Sequence, residues 1–340
     1  MQKQIELRKK TIKLLEQFFS EKKKTSLSPD IYYQELVEQI SSLTLRGGDK
    51  MRPQLVYFAY LAIKKNLSRQ EERNLLNFSL CVELFHTACL IHDDLMDNSL
   101  IRRGGLTVHE HFAKKYQNPK LGKKLAILAG DLALIWAEEI FSQYIERISC
   151  NRNTVNHYFN LLREEVIKGQ QLDLLITEQF SWQDVSADLI LEMYKYKTAK
   201  YSFERPIHLG LALAQAGKKN IETFSKYALS VGVAFQIKDD LLGSFGKSQK
   251  TGKSTQDDIR DKKRTLLLAL TKEKMGDKLI DAKITEIKRL MISSGAFDRC
   301  EEQASALVDQ GKKALFGVKI NKQAQDFFLH LADYAVSREE

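Results

Sequence analysis

Residues 74–97 read NLLNFSLCVELFHTACLIHDDLMD, an apolar run that ends in aspartates. The run contains no proline or glycine and is apolar nearly all round, which predicts a buried helix at the centre of the fold. Residues three and four apart share one face of a helix. Asp93 and Asp97 therefore stack at the end of this helix, with Asp94 beside them.

A second acidic cluster lies in residues 235–243, which read FQIKDDLLG and place Asp239 beside Asp240. Buried carboxylates without partners are very costly, so two such clusters in apolar helices indicate bound cations. Oxygen-only ligands favour a hard ion such as Mg²⁺, which binds through a few carboxylates plus substrate phosphates. The alternative is two solvated acidic helix ends, or two sets of salt bridges.

Two arginines follow the first cluster, in the stretch Arg102-Arg103-Gly104-Gly105. Arginine binds phosphate oxygens in a bidentate fork, so this order suggests an anion site beside a metal site. The glycines indicate a break after the helix, and a loop there could bend back over a ligand. The alternative is that the arginines only neutralise the aspartates.

The composition of the chain predicts an all-α protein. Its 340 residues are 43% hydrophobic, with only 4 prolines and 17 glycines. No stretch shows sustained strand alternation or a βαβ rhythm. No linker divides the chain, so we expect a single domain over residues 1–340. The 4 cysteines have no close metal spacing, which fits a reducing cytosol.

Helix-favouring stretches cover most of the chain, and an amphipathic packing helix is expected at the N-terminus. The other predicted helices cover residues 54–62, 70–96, 122–148, 154–178, 182–216, 221–242, 263–272, 277–294 and 299–336. Segments 98–120 and 179–182 are predicted connections. The polar residues 244–262 are predicted to form a mobile loop over the second acidic cluster.

The net charge of +9 suits nucleic acid, an acidic membrane surface or an anionic substrate. No nucleic-acid motif is present, which argues against the first. The best apolar stretch, residues 125–137, is short for a membrane span and contains Asp131. The N-terminal residues lack the apolar core of a signal peptide. We therefore expect a cytoplasmic protein with no nucleic-acid partner and no transmembrane segment.

These motifs together resemble the trans-isoprenyl diphosphate synthases, the polyprenyl synthetase group. The resemblance covers nearly the whole chain, with the motifs in the expected order, and the combination is highly specific. The matches are DDxxD at Asp93, Asp94 and Asp97; RRG at Arg102, Arg103 and Gly104; GQxxD at Gly169, Gln170 and Asp173; KT at Lys197 and Thr198; FQxxDDxxG at residues 235–243; TGK at residues 251–253; and D-[IL]-R-x-x-K-x-T at residues 258–265.

The resemblance implies an isoprenoid synthase-type bundle of about ten or more helices around a deep central cavity, usually as a homodimer. The implied reaction adds isopentenyl diphosphate head-to-tail to an allylic diphosphate (dimethylallyl, geranyl or farnesyl). Mg²⁺ is the implied cofactor, with three ions per active site, and Mn²⁺ is expected to substitute for it. The alternatives are a non-catalytic or regulatory subunit of a prenyl synthase, and a class I terpene cyclase on the same fold.

The resemblance also implies a role for each matching residue. The implied metal ligands are Asp93, Asp97 and Asp239, supported by Asp94 and Asp240. Side chains implied near the carbocation are those of Thr198 and Gln236. Residues implied to bind the allylic diphosphate are Arg102, Lys197 and Lys253, and those for isopentenyl diphosphate are Lys50, Arg52, His86 and Arg103. Further substrate-binding positions are Gln170 and Lys263.

The chain departs from the family pattern at residues 47–53, which read GGDKMRP where the family has GGKRxRP. Asp49 thus replaces a lysine that normally meets isopentenyl diphosphate, and an acid beside a diphosphate is repulsive. Lys50 is the expected substitute, and Asp49→Lys is expected to lower the KM for this substrate. The second motif ends in Gly243, a form common in the family, and Lys262 replaces the usual glycine before the late lysine.

Product length is expected to depend on the helix that leads to the first acidic cluster. In the family, a bulky aromatic residue five positions before the motif stops growth early, and this chain has Ala88 there. At 1.5 Å per residue, Ala88 and Cys89 lie roughly 6–8 Å below Asp93 and Phe85 about 12 Å below it. Phe85 is then the expected floor, which predicts geranylgeranyl diphosphate as the product. The alternative is that Phe85 is ordinary core packing.

Overall fold

The computed structural model of the protein describes residues 2–24, 30–246, 263–276 and 283–338. Its ordered structure is almost entirely helical, which confirms the all-α prediction. The α-helices are α1 (Gln2–Lys24), α2 (Ile31–Leu45), α3 (Met51–Ile63), α4 (Arg69–Met96), α5 (Val108–Lys115), α6 (Pro119–Ile145), α7 (Arg152–Leu174), α8 (Ala187–Tyr194), α9 (Arg205–Leu213), α10 (Lys218–Phe245), α11 (Leu266–Met275), α12 (Ile284–Ser293), α13 (Ala296–Leu315) and α14 (Lys322–Ser337).

Three short elements interrupt this helical order. A two-stranded antiparallel hairpin, β1 (Ile101–Arg102) and β2 (Gly105–Leu106), follows α4. Wider π-helical turns form π1 (Leu175–Gln179) after α7 and π2 (Lys195–Glu204) between α8 and α9. Pro206 is the second residue of α9 and follows π2 directly, so its missing N–H removes one backbone donor from this continuous helical run.

The chain divides into two compact units. Unit 1 comprises Met1–Tyr57 and Lys64–Cys150, and unit 2 comprises Phe58–Ile63 and Asn151–Glu340. The expectation of a single domain over the whole chain stays a prediction.

Helix α4 is the core of unit 1. It begins with a capping box in which the Ser68 hydroxyl accepts from the Glu71 N–H (3.2 Å) and the Glu71 carboxylate accepts from the Ser68 N–H (2.8 Å). Within the described residues, α4 is the one helix apolar and long enough to suit a membrane span, and 78% of its most apolar window is buried inside the fold. This burial confirms the prediction of a central helix.

Helix α6 packs closely against α4 because its facing side is lined by small residues, including Ala126, Ala129 and Gly130. A Cβ atom on Gly130 would collide with the His92 ring, so this glycine lets the two helices meet beside the first acidic cluster. Asn118 caps α6 by accepting from the Leu121 N–H (3.1 Å).

Unit 2 is centred on α10, which packs against α13 and π2. A Cβ atom on Gly232 would meet the backbone of Ala199 in π2, so the glycine permits the close approach of these two elements. At the other end of α10, the rings of Phe224 and Tyr227 pack edge-on against Phe328 of α14. The unit therefore holds the second acidic cluster on a helix buried on several sides.

Several predicted boundaries are wrong. The helix predicted over residues 299–336 is two helices, because α13 ends at Leu315 and Asn321 caps α14 by accepting from the Gln323 N–H (2.8 Å). The helix predicted over residues 182–216 begins only at α8, which Ser186 caps, and continues through π2.

The predicted connection 98–120 contains the hairpin and α5. Helix α2 was not predicted. The predicted loop over residues 244–262 lies outside the described residues from position 247 onward, and so do residues 277–282 of the helix predicted over residues 277–294.

Candidate active site

The first acidic cluster lies at the end of α4 and is bound by the hairpin that follows. Arg102 donates from Nε to Asp94 Oδ1 (2.7 Å) and from Nη2 to Asp93 Oδ2 (3.1 Å). Burial acts to lower the pKa of Arg102, but the two carboxylates outweigh it and hold that pKa above its ordinary value. Arg102 thus neutralises these aspartates here, as the alternative interpretation predicted. Because phosphate oxygens accept from a guanidinium equally well, the same arginine could exchange a carboxylate for a diphosphate.

The second arginine of the motif, Arg103, lies in the turn of the hairpin and has different partners from Arg102. Arg103 and Gly104 are its two central residues and both have positive φ (52° and 73°), which is the two-residue turn that matches the twist of antiparallel strands. A positive φ is uncommon for arginine. Arg103 donates from Nη1 to the carbonyl oxygens of Leu43 (3.1 Å) and Arg46 (3.3 Å) rather than to the aspartates.

A group of cations surrounds His86 in unit 1. Arg103 Nη2 lies 3.5 Å from His86 Nε2. Burial lowers the pKa of His86 well below its usual range, and Arg52, Arg103 and Lys50 lower it further. The imidazole is therefore neutral and lies in a positive field. Such a group suits an anion, because a neutral histidine can donate to an oxygen while the arginines supply charge.

Lys50, which was predicted to bind a diphosphate, has its ammonium group inside the fold in this structure. Its side chain is fully buried, and its ammonium donates to the carbonyl oxygens of Thr44 (2.5 Å) and Gly47 (2.9 Å) and pairs with Glu83 (3.4 Å). Burial lowers its pKa, while Glu83 acts against that shift. The three ammonium protons thus already have acceptors inside the fold, which favours a structural role for Lys50 over direct contact with a diphosphate.

Asp49 lies on the outside of this turn. Its carboxylate is 57% exposed and pairs at 3.8 Å with Arg8 of α1. The acid therefore faces another cation of the protein rather than an anion site, and the repulsion inferred from the sequence does not follow from this geometry.

We therefore expect Asp49→Lys to change the KM for isopentenyl diphosphate by less than about twofold, because an exposed charge is well screened. The comparison is Arg52→Gln, which removes a cation next to His86 and should raise that KM about tenfold or more. Steady-state kinetics with the allylic substrate at saturation measure both. A large fall in KM for Asp49→Lys would contradict this geometry and restore the interpretation from the sequence.

The three predicted chain-length residues differ in exposure. Phe85 (4%) and Ala88 (0%) are buried, whereas Cys89 keeps accessible surface. Burial raises the pKa of the Cys89 thiol to about 12, with Arg52 acting to lower it and Asp93 to raise it. Cys89 therefore lies close to both charged groups, on the face of α4 that carries Asp93.

The second acidic cluster lies near the end of α10 in unit 2, and its two carboxylates have different surroundings. Asp240 is 8% exposed. Its Oδ1 accepts from Gln236 Nε2 (2.9 Å) and its Oδ2 from the Tyr194 hydroxyl. Thr198 in turn donates from Oγ1 to Gln236 Oε1 (2.6 Å). Asp240 is thus held inside the fold, in a position to support a neighbour rather than to reach a ligand itself.

Asp239, in contrast, is 57% exposed. Arg338 donates from Nη2 to Asp239 Oδ1 (3.0 Å) and to the Phe235 carbonyl (3.0 Å), and its guanidinium stacks 3.7 Å from the centre of the Phe235 ring. The sequence motifs contain no hint of this arginine, which lies 99 residues further along the chain.

The GQxxD and KT motifs meet within unit 2. Lys197 donates from Nζ to Asp173 Oδ2 (2.5 Å), and a Cβ atom on Gly169 would meet the Lys197 backbone. Gln170 Nε2 is buried and has no hydrogen-bond partner among the described residues, which leaves a donor available to a ligand. Lys263 lies half-buried just before α11, and Lys253 lies outside the described residues.

The donor set of both clusters fits Mg²⁺, because every candidate ligand atom is a carboxylate oxygen. In the part of the chain that the structure describes, no group of three or more Asp, Glu, His or Cys side chains is arranged to coordinate a metal ion by itself. Mg²⁺ usually takes one or two carboxylates and completes its shell with waters and substrate phosphates. The geometry thus suits a metal that is bound together with a diphosphate.

Comparisons with known proteins agree with this chemistry. The family model described as polyprenyl synthetase matches residues 33–289. The chain is 30% identical over 314 residues to a geranylgeranyl diphosphate synthase of Methanosarcina mazei, covering 90% of each chain. It is 30% identical over 305 residues to a geranylfarnesyl diphosphate synthase of Aeropyrum pernix, covering 86% of this chain and 91% of the relative.

A solved structure is also similar over nearly the full length. It is a geranylgeranyl pyrophosphate synthase of Corynebacterium glutamicum in complex with isoprenyl diphosphate and magnesium. The TM-score is 0.91 at 29% identity, and 98% of each chain is covered. The chain therefore belongs to the polyprenyl synthetase family and is a prenyltransferase.

Proposed function

We propose that the product of this prenyltransferase is geranylgeranyl diphosphate, formed by head-to-tail addition of isopentenyl diphosphate to an allylic diphosphate. The observation that carries the condensation is a pair of cationic groups within unit 1, whereas the C20 length rests on Phe85 as the largest side chain about 12 Å below Asp93 on α4. One cationic group is Arg102 beside the first acidic cluster, and the other is the set of Arg52 and Arg103 around neutral His86. A condensation of two diphosphates needs two such groups, whereas a terpene cyclase binds one diphosphate.

We assign Asp93, Asp97 and Asp239 as ligands of Mg²⁺, with three ions per active site and Mn²⁺ as a substitute. Bound Mg²⁺ would neutralise the charge that develops on the departing diphosphate, which is Lewis-acid and template catalysis. Asp94 and Asp240, which are the more buried members of their clusters, would hold the ligands in place.

The cationic side chains would bind the allylic diphosphate as its bond to carbon breaks. Arg102 would exchange its carboxylate partners for diphosphate oxygens, and Lys197 would do the same from its place on Asp173. Lys253 is proposed as the third cation. The Thr198 hydroxyl and the carbonyl oxygen of its hydrogen-bond partner, the amide of Gln236, would face the carbocation.

Isopentenyl diphosphate would be held by the group around His86, and its double bond would attack the allylic carbocation. The new carbon–carbon bond leaves a second cation, which loses a proton. We propose the departed diphosphate as the acceptor of that proton, since the reaction then needs no protein base. Gln170 and Lys263 are proposed as further substrate contacts, and the unpaired amide donor of Gln170 supports the first.

The experiment that tests this function incubates the purified chain with Mg²⁺, labelled isopentenyl diphosphate and each of the three allylic diphosphates. We expect labelled C20 diphosphate, and no product when EDTA removes the metal. No product from any primer would support the alternative of a non-catalytic subunit, although the retained aspartates argue against it. A hydrocarbon formed without isopentenyl diphosphate would identify a cyclase.

We further propose that the chain is a cytoplasmic homodimer that pairs through α6. This helix exposes Leu128 (54%) and Ile135 (61%) seven residues apart on one face. A groove of about 320 Å³ lies in the same unit and is lined by Tyr32, Leu36, Phe112, Tyr116, Leu121 and Leu125. A second copy would remove these apolar surfaces from water.

The double variant Leu128→Glu, Ile135→Glu is therefore expected to sediment as a monomer at concentrations at which the wild type is a dimer. Each carboxylate buried at the interface would destabilise the dimer by roughly several kcal/mol, because a buried charge loses its hydration. Ile167→Glu is the matched control, because Ile167 is at least as exposed (68%) but lies on α7. A double variant that remains dimeric would place the interface on another surface.

A further inference from the structure

We propose that Tyr194 is a positioning residue of the second acidic cluster, which holds Asp240 and thereby the metal-binding face of α10. The inference rests on the proposed function and goes beyond it, because Tyr194 belongs to none of the family motifs matched in the sequence. Three contacts in unit 2 carry the argument, and each concerns a different part of the cluster.

The first contact is with Asp240. The Tyr194 hydroxyl donates to Asp240 Oδ2, while Gln236 donates to the other carboxylate oxygen. Both oxygens of this buried carboxylate are therefore bound from opposite sides, which fixes its rotamer. Losing one donor would leave a buried charged oxygen short of a partner, which is costlier than losing an ordinary surface hydrogen bond.

The second contact extends the effect to the neighbouring catalytic residues. Gln236 uses its amide nitrogen for Asp240 and its amide oxygen for Thr198. If Asp240 turns, Gln236 loses its acceptor and Thr198 loses a fixed partner. A connected set of hydrogen bonds thus joins Tyr194, Asp240, Gln236 and Thr198, with Asp240 as the acceptor at its centre, and bonds in such a network support one another.

The third contact ties the cluster to α11. The Tyr194 hydroxyl oxygen accepts from the backbone N–H of Leu266 (2.8 Å), the first residue of α11. This N–H is one of the helix-terminal donors that have no partner within the helix. One hydroxyl group therefore links the end of α10 to the element that follows residues 251–265, where two of the family motifs lie.

The hydroxyl is well suited to this double role. Tyr194 is 2% exposed, and burial together with the charge of Asp240 raises its pKa well above the usual range. It therefore keeps its proton and remains a donor to the carboxylate. The competing interpretation is that Tyr194 is an ordinary buried tyrosine that contributes only to stability.

The test compares Tyr194→Phe with Tyr227→Phe. Tyr227 is also fully buried in unit 2, and its hydroxyl donates to the Phe328 carbonyl (2.6 Å), so the control loses the same group far along α10 from the acidic pair. Two readings are made on each full-length variant. They are kcat and KM for both substrates, and the Mg²⁺ concentration that gives half of the thermal stabilisation by inorganic diphosphate.

We expect Tyr194→Phe to lower kcat about tenfold or more, and to raise the half-stabilising Mg²⁺ concentration severalfold, with the KM for isopentenyl diphosphate unchanged. Tyr227→Phe should lower the melting temperature and change neither reading. The thermal measurement needs no turnover, so it distinguishes a failure of this inference from a failure of the proposed function.

A double-mutant cycle with Asp240→Asn gives a further test of the inference. If Tyr194 acts through Asp240, the effects of the two substitutions on kcat should be strongly non-additive. Additive effects would overturn the inference. So would a Tyr194→Phe variant that matches Tyr227→Phe in kcat and Mg²⁺ requirement, or one that fails to fold while the control folds, because Tyr194 would then be a structural residue only.

Discussion

Asp93→Asn is expected to lower turnover by at least about 100-fold. Each tenfold loss of rate corresponds to about 1.4 kcal/mol of activation free energy. A metal that stabilises the developing charge lowers the barrier by several kcal/mol, by order of magnitude, so the loss of one of its ligands should be large. Asparagine keeps the shape of the side chain and an acceptor for Arg102, which contacts Asp93 at 3.1 Å. The loss should therefore appear in kcat rather than in folding, and single-turnover kinetics with Mg²⁺ measure it directly.

Asp131→Asn is the matched control for this prediction. Asp131 lies on α6 in the same unit, is 54% exposed and pairs with His92 at 3.6 Å, so its substitution removes one negative charge near the cluster without removing a proposed ligand. We expect its turnover to stay within about twofold of the wild type, because exposed ion pairs contribute little. Near-normal turnover of Asp93→Asn, or full activity in EDTA, would rule out the proposed metal-assisted ionisation.

The second large effect concerns product length. Phe85→Ala is expected to shift the product from C20 toward longer chains, because it removes the largest side chain about 12 Å below Asp93 along α4. Phe78→Ala is the matched control. Phe78 is equally buried on α4 and packs against Phe141 (5.4 Å between ring centres), but it lies two turns deeper. Product chromatography should show longer chains for the first variant only.

The reverse change should shorten the product to farnesyl diphosphate. Ala88 has no accessible surface, so Ala88→Phe must displace packed neighbours at a cost of roughly 1–3 kcal/mol. Cys89→Phe provides a second variant at a position that keeps accessible surface. If Phe85→Ala leaves the lengths unchanged while the fold holds, and neither phenylalanine variant shortens them, the floor lies elsewhere, for example near Ile135 and Trp136 of α6.

Much of the fold and of the chemistry follows from local sequence patterns. The all-α class follows from the scarcity of proline and glycine, and the buried α4 from its apolar surface. The proximity of His86 to Arg103 follows from the family motifs, and the structure brings these two residues within 3.5 Å. These features depend on local sequence or on a known family pattern, so they can be predicted from the sequence alone.

The features that the sequence did not reveal depend on the contacts of single side chains, some of them with distant parts of the chain. Because Lys50 is next to Asp49, the sequence suggests that Lys50 takes over the role of the family lysine that Asp49 replaces. In the structure, the Lys50 ammonium is buried and contacts Glu83 and two backbone carbonyl oxygens. The contact of Arg338 with Asp239 joins residues 99 positions apart. Nothing in the neighbourhood of either residue indicates such a partner.

Helix breaks were missed for a similar reason. The break between α13 and α14 depends on a single cap, Asn321, whose N–H also donates to the Ala62 carbonyl in unit 2 (3.1 Å). Tyr194 at the end of α8 and Thr198 in π2 both contact α10 side chains, and a regular α-helix over this stretch would have turned Thr198 in another direction. Propensity alone does not reveal either feature.

In the proposed mechanism, carboxylates of both acidic clusters bind the metal ions that accompany the diphosphate. The most direct measurement is the anomalous scattering of Mn²⁺ in crystals grown with a non-ionisable thio analogue of the allylic substrate. We predict peaks at about 2.0–2.2 Å from carboxylate oxygens of Asp93, Asp97 and Asp239, close to the distances of octahedral Mg²⁺, with Arg102 and Arg338 displaced from these oxygens. Peaks on other residues, or aspartates still paired with their arginines while the analogue is bound, would show that these carboxylates are not the metal ligands.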